Sequence, residues 1–221
     1  MSEQALREEI TETARTLNAL GLNRASSGNV SARLDADMML ITPSGIPPER
    51  IEPAMIARMR LSGGEMRWEG LCKPSTEWRF HRDLLRARGD INAVVHTHAP
   101  FSTILAIARK PIPAIHYMIA AFGGPDIRCS HYARYGTEEL SQAVIAAMED
   151  RNGCLMANHG MVVVGANLAR ALWLAGELEA LAHQYYHILA IGGGHVLSPA
   201  QIAETAKGFE SYGVQDDGAA G

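Results

Sequence analysis

The chain has 221 residues, 47% of them apolar and 20% charged, with a formal net charge of −4. That length fits one domain with a sizeable core, and an acidic balance without a basic block excludes a general nucleic-acid binder. No stretch approaches the roughly 18 apolar residues of a membrane span, and three widely spaced cysteines (Cys72, Cys129, Cys154) without a CxxC pair exclude a disulfide framework. The N-terminal Met1-Ser2-Glu3-Gln4 carries acid rather than the basic start of a signal peptide. The expectation is a cytoplasmic protein with free thiols and with no membrane or nucleic-acid partner.

Leu6, Ile10, Ala14, Leu17 and Leu20 recur at helical spacing, which predicts an amphipathic helix over 4–20 that Gly21 stops. Ser26–Ser31 reads as a turn-rich loop, Met38–Thr42 as a strand, and Pro43-Ser44-Gly45 as a turn. Gly63-Gly64 marks a hairpin tip between Met59–Leu61 and Met66–Trp68. Pro74-Ser75-Thr76-Glu77 has the hydroxyl cap and first-turn acid of a helix start, and Trp78, His81, Leu84 and Leu85 continue that helix on one face. Ile91–Thr97 reads as a strand, Pro100 opens a helix to about Ala108, and Ile115–Ile119 is a short apolar segment. Thr137 caps a helix to about Met148, and Cys154–Ala157 and Met161–Val164 are strands around Asn158-His159-Gly160. Asn167 caps a long helix over about 168–190, and Ser198-Pro199-Ala200-Gln201 is a capping-box start for a last one. With no repeat and no linker, residues 1–215 read as a single α/β domain, and 216–221 as a disordered tail.

The chemistry concentrates at His96-Thr97-His98. In a strand, residues i and i+2 point to the same side, so two imidazoles close the apolar run Ala93-Val94-Val95 on one face. His159 also follows an apolar run, and three nitrogen donors suit a catalytic Zn²⁺ with an open position. His183 and His187, at i and i+4 on the long helix, form a competing pair, but no glutamate of a metalloprotease helix lies between them. From its position alone Glu77 is either a helix-dipole acid or a fourth ligand and base. The short loops Gly28-Asn29, Ser44-Gly45 and Ser75-Thr76 are each either a plain turn or an anion cradle of N–H and hydroxyl donors.

A family resemblance groups these pieces. Gly28-Asn29-Val30-Ser31-Ala32-Arg33, Ile41-Thr42-Pro43-Ser44-Gly45-Ile46, Pro74-Ser75-Thr76-Glu77-Trp78-Arg79-Phe80-His81 and Ala93-Val94-Val95-His96-Thr97-His98 follow one another in order. Ile112–Ala121, His159-Gly160 and Phe209-Glu210-Ser211-Tyr212-Gly213 complete the series. Together they resemble the class II aldolase/adducin family, and within it the enzymes that cleave L-fuculose 1-phosphate. The resemblance implies a largely antiparallel central sheet flanked by helices, and a homotetramer with active sites between subunits. It also implies Zn²⁺ held by Glu77, His96, His98 and His159, with another divalent transition metal as a substitute. Gly28, Asn29, Ser44, Gly45, Ser75 and Thr76 would cradle a substrate phosphate. Glu77, Tyr117 and Tyr212 would be catalytic, Tyr212 reaching a neighbouring subunit's site, and Tyr135 and Phe209 would line the aldehyde side.

The implied reaction cleaves a ketose 1-phosphate reversibly into dihydroxyacetone phosphate and an aldehyde. A Schiff-base route would need one of only three lysines, Lys73, Lys110 or Lys207, none in a strand-like apolar setting. Ser44 and Thr76 exchange one hydroxyl residue for another relative to the family pattern, and Lys73 stands where an apolar residue is expected. Tyr135 replaces a phenylalanine within the divergent segment Cys129–Tyr135. A 5-deoxypentulose or 5-methylthioribulose 1-phosphate is therefore a serious alternative to L-fuculose 1-phosphate, changing only the tail of the substrate. A same-fold dehydratase, epimerase or sugar-acid phosphate decarboxylase is the alternative enzyme, and an adducin-like interaction domain the non-enzymatic one.

Overall fold

Residues 2–63 and 66–209 are described by the computed structural model. Helix α1 (Glu3–Ala19) precedes strands β1 (Asn29–Arg33), β2 (Met38–Ile41), β3 (Ala57–Arg60) and β4 (Trp68–Glu69). Then follow α2 (Trp78–Ala87), β5 (Ala93–Thr97), α3 (Pro100–Ile107), β6 (Ile112–Pro113), a 3-10 helix (Tyr117–Phe122) and β7 (Asp126–Ser130). The chain continues through α4 (Glu138–Ala147), β8 (Gly153–Met156), β9 (Gly160–Gly165), α5 (Leu168–Ala190) and α6 (Pro199–Phe209). The strands form one sheet in the order β4-β3-β2-β1-β5-β9-β8-β7-β6. Every neighbouring pair is antiparallel except β7 and β8. The fold is the single α/β domain expected, with a mostly antiparallel sheet.

Helices cover both faces, which explains why the central strands read as unbroken apolar runs rather than alternating ones. Val30, Ala32, Ala93, Val95, Met161 and Val163 pack in one core with α1, α3 and α5. The intervening Val94, Val162 and Val164 pack in a second core with Trp78, Phe80, Leu84 and Leu85 of α2 and Leu140 and Val144 of α4. Parity along the strands therefore sends Asn29, Ser31 and His96 toward α2. In the register Asn29 lies directly opposite His96, so the first and fifth strands bring those two polar side chains together.

Helix starts follow their local signals. Thr137 and Asn167 accept the N–H groups of Leu140 and Arg170, and Ser198 and Gln201 exchange the two bonds of a capping box. Three readings change. The loop expected over Ser26–Ser31 ends at Gly28, and Asn29 begins β1, because pairing with β2 on one side and β5 on the other outweighs the turn preference of Asn and Ser. Strands β6 and β7 carry too little apolar alternation to be read from sequence; they lie at one end of the sheet. The segment read as a short apolar stretch at Ile115–Ile119 is the entrance to the 3-10 helix. The expected tail 216–221 lies outside the described residues.

Candidate metal centre and substrate cavity

Four candidate donors converge from three places in the fold. His96 is the fourth residue of β5, and His98 lies just past its end. His159 sits in the β8–β9 turn, where Asn158 takes a left-handed conformation (φ 54°) that asparagine tolerates better than most residues. Glu77 stands at the N-cap position of α2, not in its first turn as expected. Its N–H goes to Ser75 Oγ (3.2 Å), and its carboxylate turns away from the helix toward the histidines. The Ser75 hydroxyl thus holds the residue in front of the helix, and no side chain caps α2 itself.

The distances test whether a metal fits. His96 Nε2 lies 3.1 Å from His98 Nε2 and 3.3 Å from Glu77 Oε2, and His159 Nε2 lies 3.2 Å from Glu77 Oε1. Ligand atoms set about 2.0–2.1 Å from a tetrahedral centre are about 3.3 Å apart, so these spacings match the edges of such a polyhedron. The three histidines offer ring nitrogens that all lie within 4.8 Å of one another. Glu77 Oε1 is buried without a hydrogen bond despite its neighbour at 3.2 Å, as expected of two ligand atoms that face a shared cation rather than each other. His96 Nδ1 bonds the carbonyl of Met161 (2.8 Å), which commits that nitrogen as the N–H and leaves Nε2 as the donor to a metal.

Electrostatics agree. Burial raises the Glu77 carboxyl, but the His96 and His159 imidazoles outweigh it and hold the group well below the usual carboxylate range. Burial, reinforced by His96 and His159, pushes His98 down to about 4. At neutral pH both groups are in the form a metal requires.

Gly160 is what lets the hairpin close on the site. A Cβ there would stand 2.4 Å from the Thr97 carbonyl oxygen and 2.9 Å from His98 Cδ2. Since the backbone of β5 cannot yield, Gly160→Ala is expected to push the two strands apart at the histidines. It should destabilise the fold by about 1–3 kcal/mol, as overpacking does, and weaken Zn²⁺ binding about tenfold or more. Thermal melting and chelator competition measure the two effects, and an unchanged Zn²⁺ affinity would refute this role.

The three small loops do come together. The Ser75 N–H bonds the Thr42 carbonyl, the Ser44 N–H bonds the Lys73 carbonyl, and Pro43 bridges to Pro74. Gly28, at φ 77°, lies so close to the Asn23 side chain that a Cβ would overlap it, and Asn23 Oδ1 takes the His98 N–H (3.1 Å). Gly28, Asn29 and Pro43 line one narrow cleft. Asn29 Nδ2 donates to Glu77 Oε2 (2.9 Å), tying the loop set to the candidate metal centre.

A cavity of about 320 Å³ opens over the donors, lined by Thr76, Glu77, His98, Tyr132, Ala133, Tyr135, Asn158 and His159. A larger one, about 740 Å³, lies between α2 and α4 and contains none of the four donors; donor chemistry, not size, selects the site. Tyr135 lines this cavity together with Glu77, His98 and His159. Tyr117 and Phe209 are together elsewhere, their ring centroids 6.4 Å apart, and neither lines this cavity within one chain. Tyr117 is half exposed. Tyr212 lies outside the described residues. His183 and His187 approach to 3.1 Å between Nε2 atoms on the exposed side of α5, with His183 stacked on Phe101, and no third donor joins them among the described residues. Sequence reasoning singled out neither Asn23 nor Asn158, read His81 only as part of a helix face, and met Tyr132 only within the divergent segment Cys129–Tyr135; the fold carries them to the site.

The model of the class II aldolase and adducin N-terminal domain matches residues 8–186. The chain belongs to this family. Its relatives extend over nearly its whole length. A 5-methylthioribulose-1-phosphate/5-deoxyribulose-1-phosphate aldolase of Rhodospirillum rubrum is 47% identical over 212 residues, covering 96% of this chain and 94% of the relative. An L-fuculose phosphate aldolase of Escherichia coli O6:H1 is 45% identical over 216 residues, covering 97% and 99%. The solved structure of an L-fuculose 1-phosphate aldolase superposes with a TM-score of 0.90 at 35% identity, covering 95% of this chain and 98% of that one. The chain is an enzyme of the class II aldolase kind, a carbon–carbon lyase, and its histidine cluster suits the metal dependence of that class.

Proposed function

We propose that the protein is a Zn²⁺-dependent aldolase that cleaves a ketose 1-phosphate between C3 and C4 into dihydroxyacetone phosphate and an aldehyde ending in a methyl group. The observation that carries this reading is the convergence of Glu77, His96, His98 and His159 at metal-ligand spacing, with Glu77, His98 and His159 lining a cavity. Zn²⁺, when bound there, would supply the Lewis acid that stabilises the enediolate charge left on the three-carbon fragment. Every other part is protein. Gly28, Asn29, Ser44, Gly45, Ser75 and Thr76 hold the phosphate with N–H and hydroxyl donors, a neutral cradle suited to a doubly charged anion. Tyr117 takes the C4 hydroxyl proton while passing its own phenolic proton on to the ionised Glu77 carboxylate as the C3–C4 bond breaks, and the electron pair of that bond passes to the enediolate. Glu77 gives the proton that C3 gains, and so restores the ketone product.

The exposed Tyr117 reaches the cavity from a neighbouring copy in a homotetramer, with Phe209 beside it and Tyr212 following in the same C-terminal segment. Three free thiols suit the cytoplasm.

At the aldehyde end, Tyr132, Ala133 and Tyr135 line the cavity. Cleavage of L-fuculose, 5-deoxypentulose or 5-methylthioribulose 1-phosphate releases lactaldehyde, acetaldehyde or methylthioacetaldehyde, all of which present a terminal methyl group to aromatic walls. Zinc-loaded protein incubated with these three ketose 1-phosphates, with triose phosphate followed through a coupled reductase, should release dihydroxyacetone phosphate from at least one. Release from none of them sinks the aldolase reading.

A further inference from the structure

His81 sits on α2 beneath Glu77, wholly buried, with its ring stacked on Phe80 at 4.6 Å. Both of its nitrogens are engaged: Nδ1 lies 2.7 Å from Ser31 Oγ, and Nε2 lies 2.5 Å from Asn29 Oδ1. Asn29 in turn donates its amide to Glu77 Oε2 at 2.9 Å. Ser31 and Asn29 occupy alternate positions of β1, so one imidazole from α2 spans both.

We propose that His81 is a positioning residue which, acting through Asn29, holds the Glu77 carboxylate in its metal-facing orientation. The proposal rests on the reading of Glu77 as a metal ligand.

The direction of every bond follows from the carboxylate outward. An ionised carboxylate only accepts, so Asn29 must turn its NH₂ toward Glu77 and its carbonyl toward His81. The His81 Nε2 must then carry the ring proton. Its Nδ1 keeps a lone pair and receives the Ser31 hydroxyl proton. Asn29 (6% exposed) and Ser31 (0%) are themselves buried, so no water is at hand to satisfy a reversed amide. Without a donor at the His81 position, Asn29 loses the contact that distinguishes its oxygen from its nitrogen. Half of its orientations would then set oxygen against the Glu77 oxygen. Partners of this kind behind a metal ligand typically change metal affinity by about 10–100-fold.

The test measures affinity for Zn²⁺ alone by chelator competition, with metal-free thermal melting as the check on folding. His81→Leu keeps the bulk and removes the donor, and should weaken Zn²⁺ binding about 10–100-fold. His81→Gln can place an N–H near the Nε2 position and should stay within about threefold of the parent, whereas the shorter His81→Asn should lose as much as leucine. In a Glu77→Ala background, His81→Leu should cause no further loss, because the group it positions is gone. An indifferent His81→Leu, a glutamine no better than leucine, or a loss that persists in the Glu77→Ala background overturns the proposal. If His81→Leu does not fold, the Gln and Asn pair decides alone. Parent protein that binds no Zn²⁺, or Glu77→Ala with parental affinity, overturns the ligand reading together with the relay. Normal affinity in the parent, lost in Glu77→Ala and untouched by His81→Leu, overturns only the relay.

Discussion

His96→Ala and His159→Ala are each expected to strip the protein of Zn²⁺ during dialysis and to lower kcat/KM for the cleaved ketose 1-phosphate by about 10³-fold or more. A Lewis acid at a developing oxyanion supplies several kcal/mol of stabilisation, and each 1.36 kcal/mol is tenfold in rate, so losing about 4 kcal/mol gives that figure. His96 is the more demanding case. It is 0% exposed, its Nδ1 is already committed to Met161, and its Nε2 lies between His98 and Glu77, so no other side chain can take its place. His159 comes from a turn and is half-buried, so His159→Ala should leave the melting temperature of the metal-free protein closer to that of the parent. Metal content after dialysis and the coupled assay read the two effects separately. Full Zn²⁺ retention in both variants would refute this ligand set.

Glu77→Gln should lower kcat by about 10²–10⁴-fold, with a smaller change in KM. The substitution keeps the shape of the side chain and the buried volume around it. What it removes is the negative charge beside His96 and His159 and the ability to hold a proton for C3. The Asn29 amide can still donate to the remaining oxygen, so the loops proposed to hold the phosphate should stay where they are. Three histidines remain to bind metal, and Zn²⁺ content after loading should therefore fall less than in His96→Ala. An effect confined to KM, with kcat preserved, would show that Glu77 serves binding and not proton transfer, and would require another group to protonate C3.

The two variants separate roles that the geometry superimposes. In the proposed reaction His96 would contribute only a ligand atom, whereas Glu77, which accepts the Asn29 amide, would be both a ligand and the proton carrier for C3. If both lost activity in proportion to lost metal, Glu77 would be a ligand and nothing more.

The elements set by neighbours along the chain were legible from the residues. Thr137, Asn167 and Ser198 open their helices where their hydroxyl and amide side chains cap the first turn, because a cap needs only a few consecutive residues. The run Ala93–His98 announced a strand that ends in two converging imidazoles, because alternation is a property of any strand. Spacing alone left Glu77 and the three loops ambiguous, and it was resemblance to a family that grouped them.

Tertiary structure decided the rest. Asn29 and Ser31 are turn formers by preference, and they become strand only because β2 and β5 pair on either side of them. That pairing sets Asn29 opposite His96, and the second core brings α2 down over both, which makes the helix-face His81 a neighbour of the candidate metal centre. Gly160 looks like an ordinary glycine until β9 lies against β5 and leaves no room for a Cβ. Local propensity and period are written in adjacent residues. Contacts between strands far apart in sequence depend on which sheet order closes the core, and only the folded chain supplies that order.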